Sequence, residues 1–122
     1  PFIAALTDHA RRAVVVVLPT SHPLSAWNDA WRHFWNVERP DGPTSDDFAA
    51  VLHEMGIVAE RWEMPRPPLA SRTADPASRV PSTLRRLCLT DDRADDVAAF
   101  LDTHEPDWAT VHSVLRWPGE AV

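Results

Sequence analysis

The sequence predicts an α/β fold in which helices flank a largely parallel sheet. Residues 13–18, Ala-Val-Val-Val-Val-Leu, form an unbroken apolar run, which is typical of a strand buried on both faces of such a sheet. Segments with apolar residues at helical spacing lie before and after this run. Helices that alternate with strands in this way are typical of α/β domains.

The length and composition are those of one compact domain. A chain of 122 residues buries roughly two-thirds of its unfolded surface on folding, which argues against two independent domains. Hydrophobic residues make up 44% and charged residues 25% of the chain, so wholesale disorder is disfavoured.

The charge pattern argues against several classes of partner. The net charge is -6 and all twelve basic residues are arginine, a bias that indicates a GC-rich bacterial genome. An acidic chain without a basic tract has no electrostatic reason to bind nucleic acid or an anionic membrane. The single cysteine, Cys88, fits a reducing cytoplasm, and the sequence displays neither a membrane span nor a signal peptide. We therefore expect a cytoplasmic protein.

The first third of the chain predicts two helices around the valine-rich strand. A helix is expected over residues 2–10 and the strand over residues 12–18, where Pro19 ends it. A second helix is expected over residues 24–35. It carries an aromatic stripe formed by Trp27, Trp31, Phe34 and Trp35.

Turn and capping residues organise the middle of the chain. Thr44 and Asp47 have the spacing of a capping box, which predicts a third helix with Gly56 just past its end. A strand over residues 57–64 follows this helix. Residues 65–81 are rich in Pro, Ser, Arg and Ala, which predicts a mobile loop.

The last third of the chain predicts two helices and a closing strand. The helices are expected over residues 82–89 and over residues 90–104, where Thr90 precedes acidic residues that favour a helix start. Apolar and polar residues alternate over 109–117, which predicts a strand that ends at Pro118.

Several sequence motifs resemble a group of bacterial class I S-adenosylmethionine-dependent methyltransferases. The resemblance covers nearly the whole chain. It rests on His-Ala-Arg-Arg at 9–12 before the strand, His22-Pro23, Trp-Arg-His-Phe at 31–34, Arg-Pro-Asp-Gly-Pro-Thr at 39–44, Arg-Arg-Leu-Cys-Leu at 85–89 and Leu-Arg-Trp-Pro-Gly at 115–119.

The resemblance implies a partial Rossmann-like fold, the C-terminal half of a methyltransferase domain. The three strands of the half-domain, residues 1–122, would be the fifth, sixth and seventh of a seven-stranded sheet. Their order in space would be 5-7-6, and the last strand would run antiparallel between the other two, with helices on the flanks.

The resemblance also implies a function and a cofactor. The parent enzyme would transfer a methyl group from S-adenosylmethionine to a small molecule, and this chain would form its acceptor side. The glycine-rich turn that holds the cofactor belongs to the preceding half, because none of the three glycines here opens a helix directly after a strand. No cofactor-binding residue is therefore assigned, and we do not expect the chain alone to bind the cofactor tightly or to catalyse.

Candidate site residues follow from position and residue type. His22 is the first candidate for a base that deprotonates the acceptor and His33 is the second, although a loop or structural histidine is a common alternative. The residues expected to bind the acceptor are Thr20, Ser21, Trp27, Trp31 and Arg32. The tryptophans could instead belong to the core, and Arg32 could form a surface ion pair.

Two other kinds of site are not predicted. No pair of histidines has the spacing of a metal site, and the Asp91-Asp92 and Asp95-Asp96 pairs lack the glycine and glutamate of a calcium-binding loop. Cys88 lies among leucines, which favours a packed thiol over a nucleophile.

An interaction module is the alternative to an enzyme fragment. A half-fold of this kind would leave the edge of the valine-rich strand unpaired, and an exposed apolar edge recruits a partner. We therefore expect a homodimer, or an assembly with the preceding half of the domain. The alternative function is that of a non-catalytic acidic dimerisation module derived from the same fold.

Overall fold

The computed structural model describes residues 1–66 and 76–121. The chain divides into two compact units. The first, the sheet unit, comprises residues 1–23, 41–66 and 109 onward. The second, the helical unit, comprises residues 24–40 and the described residues up to 108.

Five α-helices, two 3-10 turns and three strands make up the described residues. In chain order they are helix α1 (Phe2–His9), strand β1 (Ala13–Pro19), a 3-10 turn (Ser25–Trp27), α2 (Asn28–Trp35), α3 (Ser45–Glu54), β2 (Glu60–Pro65), α4 (Pro76–Arg86), a second 3-10 turn (Asp91–Arg93), α5 (Ala94–Thr103) and β3 (Val111–Pro118).

The three strands form one antiparallel sheet with the last strand in the middle. The order is β1-β3-β2, and β3 pairs antiparallel with both neighbours. Val14 lies opposite Trp117 in one pairing, and Trp62 lies opposite Val114 in the other. The predicted order of the strands and the predicted direction of the last strand are thus confirmed for the described residues. The largely parallel sheet that the valine run predicted is not found there, because the central strand runs opposite to both of its neighbours.

The core of the sheet unit lies on one face of the sheet. Val14, Leu115 and Trp117 form this face together with Leu52 of α3, and all four are buried. Ile3 and Leu6 of α1 pack against the same cluster. Helices α1 and α3 therefore cover the face to which alternate residues of β1 and β3 point.

Strand β1 is not buried on both faces, contrary to the prediction. Val15 and Val17 are 56% and 49% exposed, whereas Val14 is buried. Within the described residues β1 pairs with β3 alone, so it is an edge strand. An all-valine run has no polar alternation that would distinguish a half-exposed strand from a buried one.

Helix α3 begins and ends as the sequence predicts. The Asp47 amide donates to Thr44 Oγ1 over 3.3 Å, and the Thr44 amide donates to Asp47 Oδ2 over 2.7 Å, which completes the capping box. Gly56 follows the helix with a φ of 74°, a conformation that favours glycine. Strand β2 begins at Glu60, three residues later than expected.

The helical unit has a separate core built from all of its helices. Its buried residues are Ala26, Trp27, Ala30, Leu84, Leu87, Val97, Phe100 and Leu101. Thr90 precedes the second 3-10 turn without a side-chain capping bond. Helix α5 lies within the range predicted for it.

Helix α4 begins at Pro76 instead of at residue 82. Pro81 lies inside the helix, where the sequence rules place a break. Val80 and Leu84 pack in the core of the helical unit on either side of it, and this packing favours the helix through the proline. Of the loop predicted over 65–81, residues 76–81 are therefore helical, Pro65 ends β2, and residues 67–75 lie outside the described residues.

Cys88 lies in the turn after α4, in an exposed position with a φ of 54°. The prediction of a packed thiol is therefore wrong, because the turn that closes the helix directs Leu87 and not Cys88 into the core. Among the described residues, no helix combines the length and the apolar character that a membrane crossing requires.

Candidate functional site

A concave groove of about 320 Å³ lies in the sheet unit, where the loop after β1 meets the start of α3. Its apolar lining comes from both segments and consists of Leu18, Pro19, Pro23, Pro43, Phe48 and Val51. Its polar lining consists of Ser21, His22, Thr44, Ser45 and Asp47. The groove is thus a mainly apolar pocket with a few polar groups, as is usual for small-molecule sites.

Hydrogen bonds of Thr20 hold the loop after β1 in place. The Thr20 amide and the Thr20 hydroxyl both donate to the carbonyl of Val111, each over 3.3 Å. The Thr20 carbonyl accepts from the Ser45 amide, also over 3.3 Å. Thr20 therefore ties the loop to β3 and to α3, which fixes the position of Ser21 and His22 in the groove.

Arg61 of β2 binds Ser45, one of the residues that line the groove. Arg61 donates to Ser45 Oγ over 3.1 Å and to Ser113 Oγ over 2.9 Å. It also forms an ion pair with Asp46 over 2.6 Å. The guanidinium of Arg61 is thus occupied by neighbours of the groove, and it does not line the groove itself.

Among the described residues that line the groove, Asp47 carries the one carboxylate. The hydrogen bond from the Thr44 amide lowers the pKa of Asp47, and the bond from the Thr44 hydroxyl lowers it further. Both bonds stabilise the ionised form. Asp47 therefore carries a negative charge at neutral pH, and no arginine lies among the described residues that line the groove.

The predicted site residues are divided between the two units. Ser21 and His22 line the groove, and the hydrogen bonds of Thr20 hold their loop in place. The other four, Trp27, Trp31, Arg32 and His33, belong to the helical unit. The structure therefore assembles the first three residues at one site, and it accounts for the remaining four through contacts within their own unit.

The two tryptophans belong to the packing of the helical unit. Trp27 is buried, its ring lies edge-on to Trp108 at 6.0 Å between centroids, and the Arg86 guanidinium lies 5.2 Å from it. The Trp31 ring has Arg39 over its face at 5.0 Å. These contacts fit the core interpretation of the aromatic stripe better than an acceptor pocket.

Arg32 is held in ion pairs with its neighbours. Its Nε and Nη2 donate to both carboxylate oxygens of Glu38 over 2.6 and 2.9 Å, and its Nη1 donates to Asp29 over 2.9 Å. These contacts raise the pKa of Arg32 and lower that of Glu38. A guanidinium bound in this way has little capacity left for a carboxylate substrate.

His33 packs in an aromatic cluster. Its ring lies 4.7 Å from the ring of Phe34 and 4.9 Å from that of Phe100, and His104 stacks on Phe100 at 4.3 Å. His33 is exposed, and its ring contacts lie within the helical unit. His22 is thus the candidate base that lies at the groove.

Sequence reasoning missed part of the groove lining on α3. Asp47 was expected only as a cap residue, and Phe48 and Val51 were given no role in binding, yet all three line the groove. The positions 47, 48 and 51 share one face of a helix, and this face begins directly after the cap. That spacing was the signal that could have identified them.

The comparisons leave the chain without an assigned family. No family model, no curated protein and no solved structure matches it. The described residues contain no cluster of His, Cys, Asp and Glu side chains that could hold a metal ion.

Proposed function

We propose that this chain is the C-terminal, acceptor-side portion of a class I S-adenosylmethionine-dependent methyltransferase that acts on a small molecule. The observation that carries the proposal is the strand order β1-β3-β2 with an antiparallel central strand. This is the order that the sequence resemblance implies for the last three strands of such an enzyme. Of the motifs that carry the resemblance, His-Ala-Arg-Arg directly precedes β1 and Leu-Arg-Trp-Pro-Gly lies at the end of β3.

The position of the groove supports the same proposal. In open α/β sheets, ligands bind beyond the C-terminal ends of the strands. The groove includes Leu18 and Pro19 at the C-terminal end of β1, and it continues into Ser21 and His22. An acceptor bound there would be held in one orientation, which is the main requirement for a displacement reaction. His22 would accept a proton from an acceptor that needs to be deprotonated.

The glycines of this chain do not fit a cofactor site. Gly56 lies just past the end of α3. Gly119 lies so close to Ala10 that a Cβ at this position would collide with the Ala10 carbonyl. Gly42 precedes Pro43 at the groove. None of these positions is a turn from a strand into a helix, where a backbone can approach a nucleotide. We therefore assign the cofactor to the part of the enzyme that would precede β1.

The coding sequence before Pro1 tests the proposal. We expect it to encode a strand followed by Glu-x-Gly-x-Gly, the turn that would hold the cofactor. We also expect calorimetric titration of this chain with S-adenosylhomocysteine to give no micromolar binding. Micromolar binding, or an upstream sequence without that turn, would contradict the proposal.

A dimerisation module is the second candidate, and exposed valines favour it. Val15 and Val17 lie on an edge strand with their side chains exposed. Pairing of two β1 strands would cover this edge in a homodimer. In this case a gene that starts close to Pro1 would be expected. The single cysteine supports a reducing, cytoplasmic location for either candidate.

A further inference from the structure

We infer that the groove binds a small apolar amine, with its hydrocarbon body against Phe48 and Val51 and its ammonium group at Asp47. The inference rests on the proposed function only where it identifies this ligand with the methyl acceptor. The binding itself is a property of the sheet unit, and it can be measured without the cofactor.

The shape and lining of the groove determine the body of the ligand. A volume of about 320 Å³ lies at the lower end of the range for small-molecule sites. The side chains of Leu18, Phe48 and Val51 offer apolar surface to a ligand, and burial of apolar area is the main source of affinity in such pockets. A ligand with a single ring or with two fused rings would fit this space.

The carboxylate of Asp47 determines the charge of the ligand. Its Oδ2 atom accepts from the Thr44 amide over 2.7 Å and from the Thr44 hydroxyl over 2.9 Å. Asp47 is an exposed residue, and the described residues provide no hydrogen bond to its Oδ1 atom. An ammonium group at this oxygen would make a charge-assisted hydrogen bond.

The start of α3 offers little to an anion, although a helix N-terminus often binds one. The Thr44 and Asp47 amides are occupied by the capping box, and the Ser45 amide donates to the Thr20 carbonyl. Arg61, the nearby cation, is occupied by Asp46 and two serine hydroxyls. The groove therefore favours a cationic ligand over a carboxylate of the same shape.

Three probes of matched shape test the inference on the full chain. Tryptamine carries an ammonium group, indole is uncharged, and indole-3-propionate carries a carboxylate on a side chain of similar length. We expect calorimetry to give the tightest binding for tryptamine, weaker binding for indole and the weakest for indole-3-propionate. In two-dimensional NMR, we expect the chemical-shift changes caused by tryptamine to occur at the residues that line the groove.

Two variants and one control separate the charge of Asp47 from general effects. Asp47→Asn should weaken tryptamine about fivefold, the size expected for a partly exposed charge pair, and should leave indole unchanged. Val51→Lys leaves the capping box intact and should weaken tryptamine while it strengthens indole-3-propionate. Glu54→Gln removes a charge from the same helix outside the groove lining and should change neither.

The outcomes distinguish this inference from the proposed function. The amine inference would be overturned if indole-3-propionate bound as tightly as tryptamine, or if none of the three probes bound. It would also be overturned if neither variant changed the binding of tryptamine. Since no cofactor is present in these titrations, they do not depend on whether the parent protein is a methyltransferase. The upstream coding sequence tests that assignment separately.

Discussion

The indole nitrogen of Trp117 donates a hydrogen bond to the Thr7 hydroxyl over 2.8 Å, and both side chains are buried. The Thr7 hydroxyl in turn donates to the Ile3 carbonyl over 3.0 Å. One hydroxyl thus joins α1 to the central strand β3. This bond is polar within an apolar core, so its loss leaves a buried donor without a partner.

Substitution of Thr7 tests this connection. Thr7→Val keeps the shape of the side chain and removes the acceptor, so we expect the free energy of unfolding to fall by about 1–3 kcal/mol. Urea denaturation monitored by tryptophan fluorescence measures it. Thr103→Val is the control, because the Thr103 hydroxyl also bonds to a carbonyl of its own helix but the residue is exposed. If Thr103→Val lowered the free energy of unfolding as much as Thr7→Val, the account would be contradicted.

The capping box predicts a dependence of stability on pH. The folded state lowers the pKa of Asp47 below its ordinary value of 3.8, because the Thr44 amide and hydroxyl bind the ionised form. The stabilisation is thus present above that value and is lost as the pH falls through the lower pKa of the folded state. Thermal unfolding of the wild-type chain and Asp47→Asn between pH 2 and pH 6 measures the loss. A difference between the two chains that stays constant over this range would disagree with it.

The predicted fold depended on local signals that the tertiary structure preserves. Thr44 and Asp47 could be recognised as a cap because a capping box needs only neighbouring residues. The strand order came from the resemblance, whereas the exposed face of β1 could not be predicted, since exposure of Val15 depends on what packs against the sheet. Pro81 was misleading because packing within the helical unit overrides its tendency to break a helix.

The site could be predicted only in part for a similar reason. Ser21 and His22 were found from their position after a strand, and this position does lie at the groove. Residues such as Trp31 and Arg32 were selected by chemical type. Their partners, Arg39 and Glu38, lie within the helical unit, and such pairings cannot be read from residue type alone.

Arg32 should not contribute to binding in the groove. Its guanidinium is bound to Glu38 and Asp29 in the helical unit, so Arg32→Ala should leave the tryptamine affinity unchanged. Calorimetry against the wild-type chain measures this. A loss of tenfold or more, with an unchanged circular dichroism spectrum, would restore Arg32 as a ligand-binding residue.

If two chains pair through the edge of β1, charged substitutions on the exposed face of this strand should prevent dimerisation. Lysine at Val15 and at Val17 would place charges beside the pairing edge, a common way of blocking strand addition. We expect the wild-type chain to sediment as a dimer and the double variant Val15→Lys/Val17→Lys as a monomer. Lysine substitutions at Val58 and Met55, which are also exposed but lie outside the strands, should leave the dimer intact. A wild-type chain that is monomeric at all concentrations would exclude this assembly.

The most direct test of the central claim is the binding of S-adenosylhomocysteine to the product of the complete gene, with this chain as the matched control. We expect micromolar binding to the complete product and none to residues 1–122, because the glycines of this chain do not form a cofactor turn. A complete product that folds but does not bind S-adenosylhomocysteine would contradict the methyltransferase proposal.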